Sequence, residues 1–141
     1  MMKKFKKYPT KITQKTKTKQ FTLKISPRDI SVFARQLATL LGAGVPLVQS
    51  IEIIARGQDN KGIGYLMDTI KGEIESGLTL AESLANHPQY FDRLFCQLVK
   101  VGEQAGALEI LLRKIADYQE RSLTLKTKLK KALFYRRNPK H

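Results

Sequence analysis

A few carboxylates, one thiol and two imidazoles are the side chains with which this 141-residue sequence could do chemistry. General acid and base work needs two carboxyl groups converging on one cleft. Glu73 and Glu75 stand two apart in a stretch of helical periodicity, which turns them away from each other. With Glu82 they read as a solvated acidic face, available as a partner surface. Cys96 lies on an apolar helical stretch with no histidine near it in sequence, and reads as an inert core thiol rather than a nucleophile. That single cysteine, with His87 and His141, is too poor a set for a typical zinc site. Gly42, Gly44, Gly62 and Gly64 do not follow the Gly-x-x-x-x-Gly-Lys-Ser/Thr pattern, nor do they link a strand to a helix as a phosphate-binding loop must. The residues therefore predict no catalytic, cofactor-binding or metal-binding site.

The stretch VGEQAGAL, Val101 to Leu108, is the most pointed exception. Gly102 follows Phe95 by seven and Leu98 by four, on the packed face of a helix, where the missing side chain lets a neighbouring backbone come close. Gly106 follows the last periodic residue, where a left-handed conformation is commonly needed and glycine adopts it freely. Glu103 faces the negative end of its own helix dipole, so something must offset it. The expectation is that it caps the free N–H groups at the start of the next helix, residues 107 to 109. A partner protein is the alternative.

Six helices are predicted to position these residues, punctuated by glycine and proline. The first opens at Ser26 (N-cap), Pro27 and Asp29, carries Ile30, Phe33, Ala34, Leu37, Ala38 and Leu41 on one stripe, and ends at Gly42 and Gly44. The second restarts with Pro46 at its first position, carries Leu47, Ile51, Ile54 and Ala55, and ends at Gly57. The joint between these two is short enough to lay them side by side as a hairpin. The third runs from about Asn60 to Ser76 on Ile63, Leu66, Met67, Ile70 and Ile74. Thr79 and Glu82 form a capping box that opens a short fourth helix, stopped by His87 and Pro88. The fifth spans about Gln89 to Ala105, with Phe91, Phe95, Leu98, Gly102 and Ala105 inward. The sixth runs from Ala107 to about Tyr135, with Leu111, Ile115, Tyr118, Ser122, Leu125, Leu129 and Ala132 as a seam of alternating four and three. The fold class is all-α, a bundle of antiparallel helical hairpins over residues 26–135. Residues 1–25 are expected to be a disordered, basic, mobile arm, and 136–141 a polar tail.

A formal charge of +14 raises the question of nucleic acid, and its distribution answers it. Residues 1–30 hold 10 Lys or Arg against one acid, residues 31–120 hold 8 against 11, and residues 121–141 hold 8 against none. The helical middle is net negative, so the basicity fringes the fold instead of marking a reading face. Nucleic acid is therefore not an expected partner, although basic arms keep a nucleic-acid-binding protein as the alternative reading. An anionic membrane surface is favoured by Lys126, Lys128, Lys130, Lys131, Arg136, Arg137 and Lys140, each worth about 1 kcal/mol near an anionic leaflet. The longest apolar run, LATLLGAGVPLV, falls short of the roughly 20 residues that cross a bilayer. The amino terminus has the charge of a signal peptide without its apolar run, and the lone cysteine suits a reducing compartment.

Four stretches together resemble a known family: FARQLATLLGAGVPL (33–47), SGLTLAESLANHPQYF (76–91), LVKVGEQAGALEILLRKIADYQE (98–120) and LKTKLKKALFY (125–135). They resemble the first cytoplasmic domain of bacterial type II secretion system protein F, and most of all its pilus form, the inner-membrane platform protein of type IV pilus assembly. The resemblance spans about residues 28–135 and implies a six-helix bundle. It places Gly102, Glu103 and Gly106 in the family's GExxG corner, and Arg35, Gln36, Ala43, Gly44 and Pro46 in its RQL and AGVPL segments, none of them catalytic. It further implies a non-enzymatic scaffold at the cytoplasmic face of the bacterial inner membrane. Such a platform carries two related cytoplasmic domains and three membrane helices. It couples a cytoplasmic hexameric assembly ATPase to the movement of pilin-like subunits, contacts other inner-membrane components and can self-associate as a homodimer. One departure stands out. The family continues from a Tyr-Pro pair into a membrane helix, whereas Tyr135 is followed here by RRNPKH, as in an expressed fragment or a reading frame that stops early.

Overall fold

The computed structural model describes residues 24–137, and among them it contains six α-helices and no strand. In chain order these are α1 Pro27–Gly42, α2 Leu47–Arg56, α3 Lys61–Glu75, α4 Leu80–Ala85, α5 Arg93–Ala105 and α6 Leu108–Arg137. Local chemistry sets most of the boundaries. Ser26 and Asp29 form a reciprocal capping box with Pro27 inside the first turn of α1, and Asn60 caps α3 by accepting from Gly62 and Ile63. Thr79 and Glu82 form the second capping box, at α4. Each satisfies amides that a helix start leaves without an intrahelical acceptor.

The helices pair antiparallel. Arg35 lies against Asp117 and Glu120, while Gly42 lies against Glu109 and Arg113, so α1 and α6 run in opposite directions. In the same way Glu52 meets Lys71 while Gly64 comes close to the Ala55 carbonyl, which sets α2 against α3. Packing of α1 against α6 is the most extensive in the domain, ahead of its packing on α2, its neighbour in sequence. The core joins Phe33, Leu37, Ile51, Ile63, Met67, Ile70, Leu80, Leu84, Phe91, Val99 and Leu112, all almost wholly buried. Phe91 is the aromatic hinge of that core, edge-on to Phe33 at 5.9 Å and to Phe95 at 5.2 Å between ring centroids. Edge-to-face pairs at such distances add to the burial itself.

Several sequence expectations shift. Pro46 is the N-cap of α2 and not its first residue, because its ψ of 154° is extended. Helix α5 starts at Arg93 rather than near Gln89. Asp92 takes the cap by accepting from the Phe95 amide at 2.8 Å, leaving Phe91 buried in the turn before it. The inward face of α5 is Phe95, Val99 and Gly102, while Leu98 is only partly covered and Ala105 is exposed. Lys24 and Ile25, expected in the mobile arm, are held: the Lys24 carbonyl accepts from the Asn60 amide side chain at 2.8 Å, and Ile25 packs on the core. The rest of that arm, and the last residues of the tail, lie outside the described residues.

The largest departure is in α6. Its buried residues are Leu112, Ile115 and Ala116, whereas Tyr118, Leu125 and Leu129 of the expected seam are more than half exposed. Tyr118, level with Arg35, lies off the face that Leu112, Ile115 and Ala116 bury, and for Leu125 and Leu129 the cause is length. At about 1.5 Å per residue, the 30 residues of α6 reach about 45 Å, and those of α1 only about 24 Å. Arg35 pairs with residues near 118, so Pro27 at the start of α1 lies near Leu123 and Lys126. Beyond that level α6 projects without a neighbouring helix among the described residues.

Candidate functional site

The GExxG corner assigns one task to each of its residues. Gly102 faces the start of α6 so closely that a Cβ there would sit 3.0 Å from the Leu108 Cα and 3.2 Å from the Leu111 Cβ. Gly106 ends α5 with φ 66° and ψ 27°, a left-handed conformation that costs a side-chain-bearing residue strain. The Ala107 amide then donates to the Gly102 carbonyl at 2.8 Å, locking the turn. Glu103 does not reach residues 107 to 109 as expected. Its Oε2 accepts from the Leu80 amide and its Oε1 from the Ala81 amide, both at 2.9 Å.

Glu103 thus caps a helix, but α4 rather than α6. The reason lies in supply. Helix α4 has only six residues, and its N-cap Thr79 can serve one donor, the Glu82 amide at 3.1 Å. Glu82 returns the favour to the Thr79 amide at 2.9 Å. That leaves the amides of Leu80 and Ala81, both on buried residues, and the Glu103 carboxylate meets them with its two oxygens. The positive end of the α4 dipole suits this charge. Nothing in the sequence marks a pairing across 23 residues; only the question of what offsets Glu103 was visible.

Glu73, grouped with the acidic partner surface, is drawn inside. One of its oxygens accepts from the Ser83 hydroxyl at 2.8 Å and lies 2.9 Å from His87 Nε2, and the other accepts from the Asn86 amide at 3.0 Å. Ser83 and His87 are buried, so Glu73 ties the end of α3 to the end of α4. Glu82 is likewise occupied by its cap, and the Thr79 amide holds its carboxyl below the usual carboxylate range. Glu75 alone of the three projects into solvent with no such role.

Arg35 joins α1 to α6 through a fork: Nε and Nη2 donate to the two oxygens of Glu120 at 3.2 and 2.9 Å, and Nη2 also donates to Asp117. These bonds raise the Arg35 pKa further above its ordinary value and hold the Asp117 carboxyl below its own. Gln36 accepts from Gln58 of the α2–α3 link at 3.2 Å. Ala43 caps α1, and Gly44, with φ 87°, donates to the Leu41 carbonyl at 3.0 Å before Pro46 opens α2. Burial, and then the nearby Asp92, push the Cys96 thiol up, holding it protonated.

The arrangement defines a helical module whose glycine- and glutamate-bearing corners are spent on capping and close backbone approach. The chain belongs to the type II secretion system protein F family: the family model described as "Type II secretion system (T2SS), protein F" matches residues 33–137. It is 54% identical over 112 residues to the type IV pilus assembly protein PilC of Pseudomonas aeruginosa, covering 79% of this chain and 30% of that protein. With the type IV pilus assembly protein TapC of Aeromonas hydrophila it shares 50% over 112 residues, 79% of this chain and 27% of the relative. The type II secretion system protein F of Vibrio cholerae is 34% identical over 111 residues, again 79% and 27%. The chain therefore spans less than a third of the length of these curated relatives.

Proposed function

We propose that this chain supplies a docking module of the assembly platform that serves type IV pilus biogenesis or type II secretion, at the cytoplasmic face of the bacterial inner membrane. The observation that carries the reading is the family match over residues 33–137, together with 54% and 50% identity to two type IV pilus assembly proteins. The module works without chemistry of its own. It binds the cytoplasmic assembly ATPase and neighbouring inner-membrane components through exposed helix faces, so that work done by the motor is passed to pilin-like subunits.

Rigidity is what such a module needs, and the site geometry supports it. The Glu103 cap, the Glu73 cluster and the Arg35 fork tie α4 to α5, α3 to α4 and α1 to α6. A force applied at one helix is therefore transmitted through hydrogen bonds and packed side chains to the others. A nucleic-acid role has less support, because residues 31–120 carry 8 basic against 11 acidic side chains.

The test is a pull-down of this chain against the cognate assembly ATPase, followed by Glu75→Lys at the exposed end of α3. Retention of the ATPase, weakened by the charge reversal, is the expected result. Failure to retain it would place the motor contact outside this module. Salt-sensitive binding of residues 31–120 to DNA would instead support the nucleic-acid reading.

A further inference from the structure

The projecting half of α6 carries a stripe that no helix among the described residues covers. Leu125, Leu129 and Leu133 are 55–58% exposed, and at 3.6 residues per turn they fall with Ala132 along one side of the helix. Arg121 and Lys128 border that side on one flank, and Lys126 and Lys130 on the other. Every residue from Thr124 to Arg136 is exposed, and no acidic residue follows Glu120 anywhere in the chain. No helix of the described residues is long and apolar enough to cross a membrane.

From this pattern we infer that the α6 projection lies flat in the headgroup region of an anionic lipid leaflet, sinking Leu125, Leu129 and Leu133 below the level of its lysines. An in-plane helix needs a narrow apolar face with cations on both borders, whose long stems let the charge rise to the phosphates while the chain lies lower. A second copy is the competing occupant, and charge argues against it. Two such projections paired along the stripe beyond Glu120 would bring Lys126 and Lys128 of each to the seam borders, where that part of the helix supplies no acid to meet them. An anionic leaflet covers the apolar stripe and neutralises the cations together.

This inference rests on the membrane-face placement proposed above and adds how the module is oriented there. Its test uses the full chain with Cys96→Ser and an environment-sensitive fluorophore on either Leu129→Cys or Lys131→Cys, which face opposite sides of α6. Vesicles of neutral phosphatidylcholine are compared with vesicles containing phosphatidylglycerol. Flotation with anionic vesicles only is expected, with a blue shift at position 129 and none at 131. In the unlabelled chain, Leu125→Ser with Leu129→Ser is expected to weaken binding on the order of tenfold or more. Lys126→Gln with Lys128→Gln and Lys130→Gln should weaken it strongly at low salt, where the charges act at longest range. Anionic binding with both labelled positions still in water would overturn the inference, since the attraction would be charge alone. A blue shift at 129 without vesicles, rising with protein concentration, would overturn it in favour of a second copy. Neither result alters ATPase retention in the pull-down, so failure of the docking reading stays separable.

Discussion

The carboxylate of Glu103, in the last turn of α5, accepts from the backbone amides of Leu80 and Ala81 at the first turn of α4, each at 2.9 Å. A charge that is unfavourable at the end of its own helix becomes favourable at the start of another. Removing it leaves two amides on buried residues without acceptors. Glu103→Ala is expected to cost about 1 to 3 kcal/mol in urea unfolding, with faster amide exchange at Leu80 and Ala81 than elsewhere in the core. Glu103→Gln keeps one accepting oxygen and should cost less. Equal, negligible losses for both would reject the capping role.

Two glycines in helix interiors predict opposite outcomes. A Cβ at Gly102 meets the Leu108 Cα at 3.0 Å, which is backbone and cannot swing aside, so Gly102→Ala should destabilise by about 1 to 2 kcal/mol despite alanine's better helix propensity. At Gly72 a Cβ meets nothing within 4 Å, and Gly72→Ala should stabilise by about 0.5 to 1 kcal/mol. Thermal midpoints that rise for both would mean that α5 and α6 can move apart at no cost.

Glu73 and Glu75 separate in the same way. Glu73→Ala strips acceptors from the buried Ser83 hydroxyl and from His87, and should cost about 2 kcal/mol. Glu75→Ala, on the exposed side, is expected within about 0.5 kcal/mol of the parent. Matching denaturation curves for the two variants would sink this assignment.

The helix count was legible because periodicity, caps and breaks agreed: Ser26, Asn60 and Thr79 each cap where a hydroxyl or amide precedes an apolar stripe. Gly106 was legible for the same local reason. What escaped was non-local. Glu73 meets partners 10 to 14 residues on, and Glu103 partners more than 20 residues back, separations at which sequence spacing carries no geometric information. The α6 seam misled because its spacing is that of a buried stripe, and spacing alone does not say which face a partner helix covers or how far along it reaches. Leu112→Ala should therefore cost about 3 kcal/mol, while Leu129→Ser should leave chemical denaturation almost unchanged.

Arg35 gives the pH dependence. Its fork holds the Asp117 carboxyl below the ordinary value of about 4, so the folded chain releases that proton more readily than the unfolded one. The stability this linkage contributes is present above the ordinary value and is lost as pH falls below it, through the depressed folded value. Asp117 and Glu120 are about half exposed, so salt should weaken the effect as well. Arg35→Gln is accordingly expected to unfold more readily than the parent at neutral pH and low salt. The two denaturation curves should converge both in acid and in molar salt. A gap between them that persisted unchanged at pH 2 would mean that Arg35 stabilises the α1–α6 pairing by packing its stem, not through its carboxylate partners.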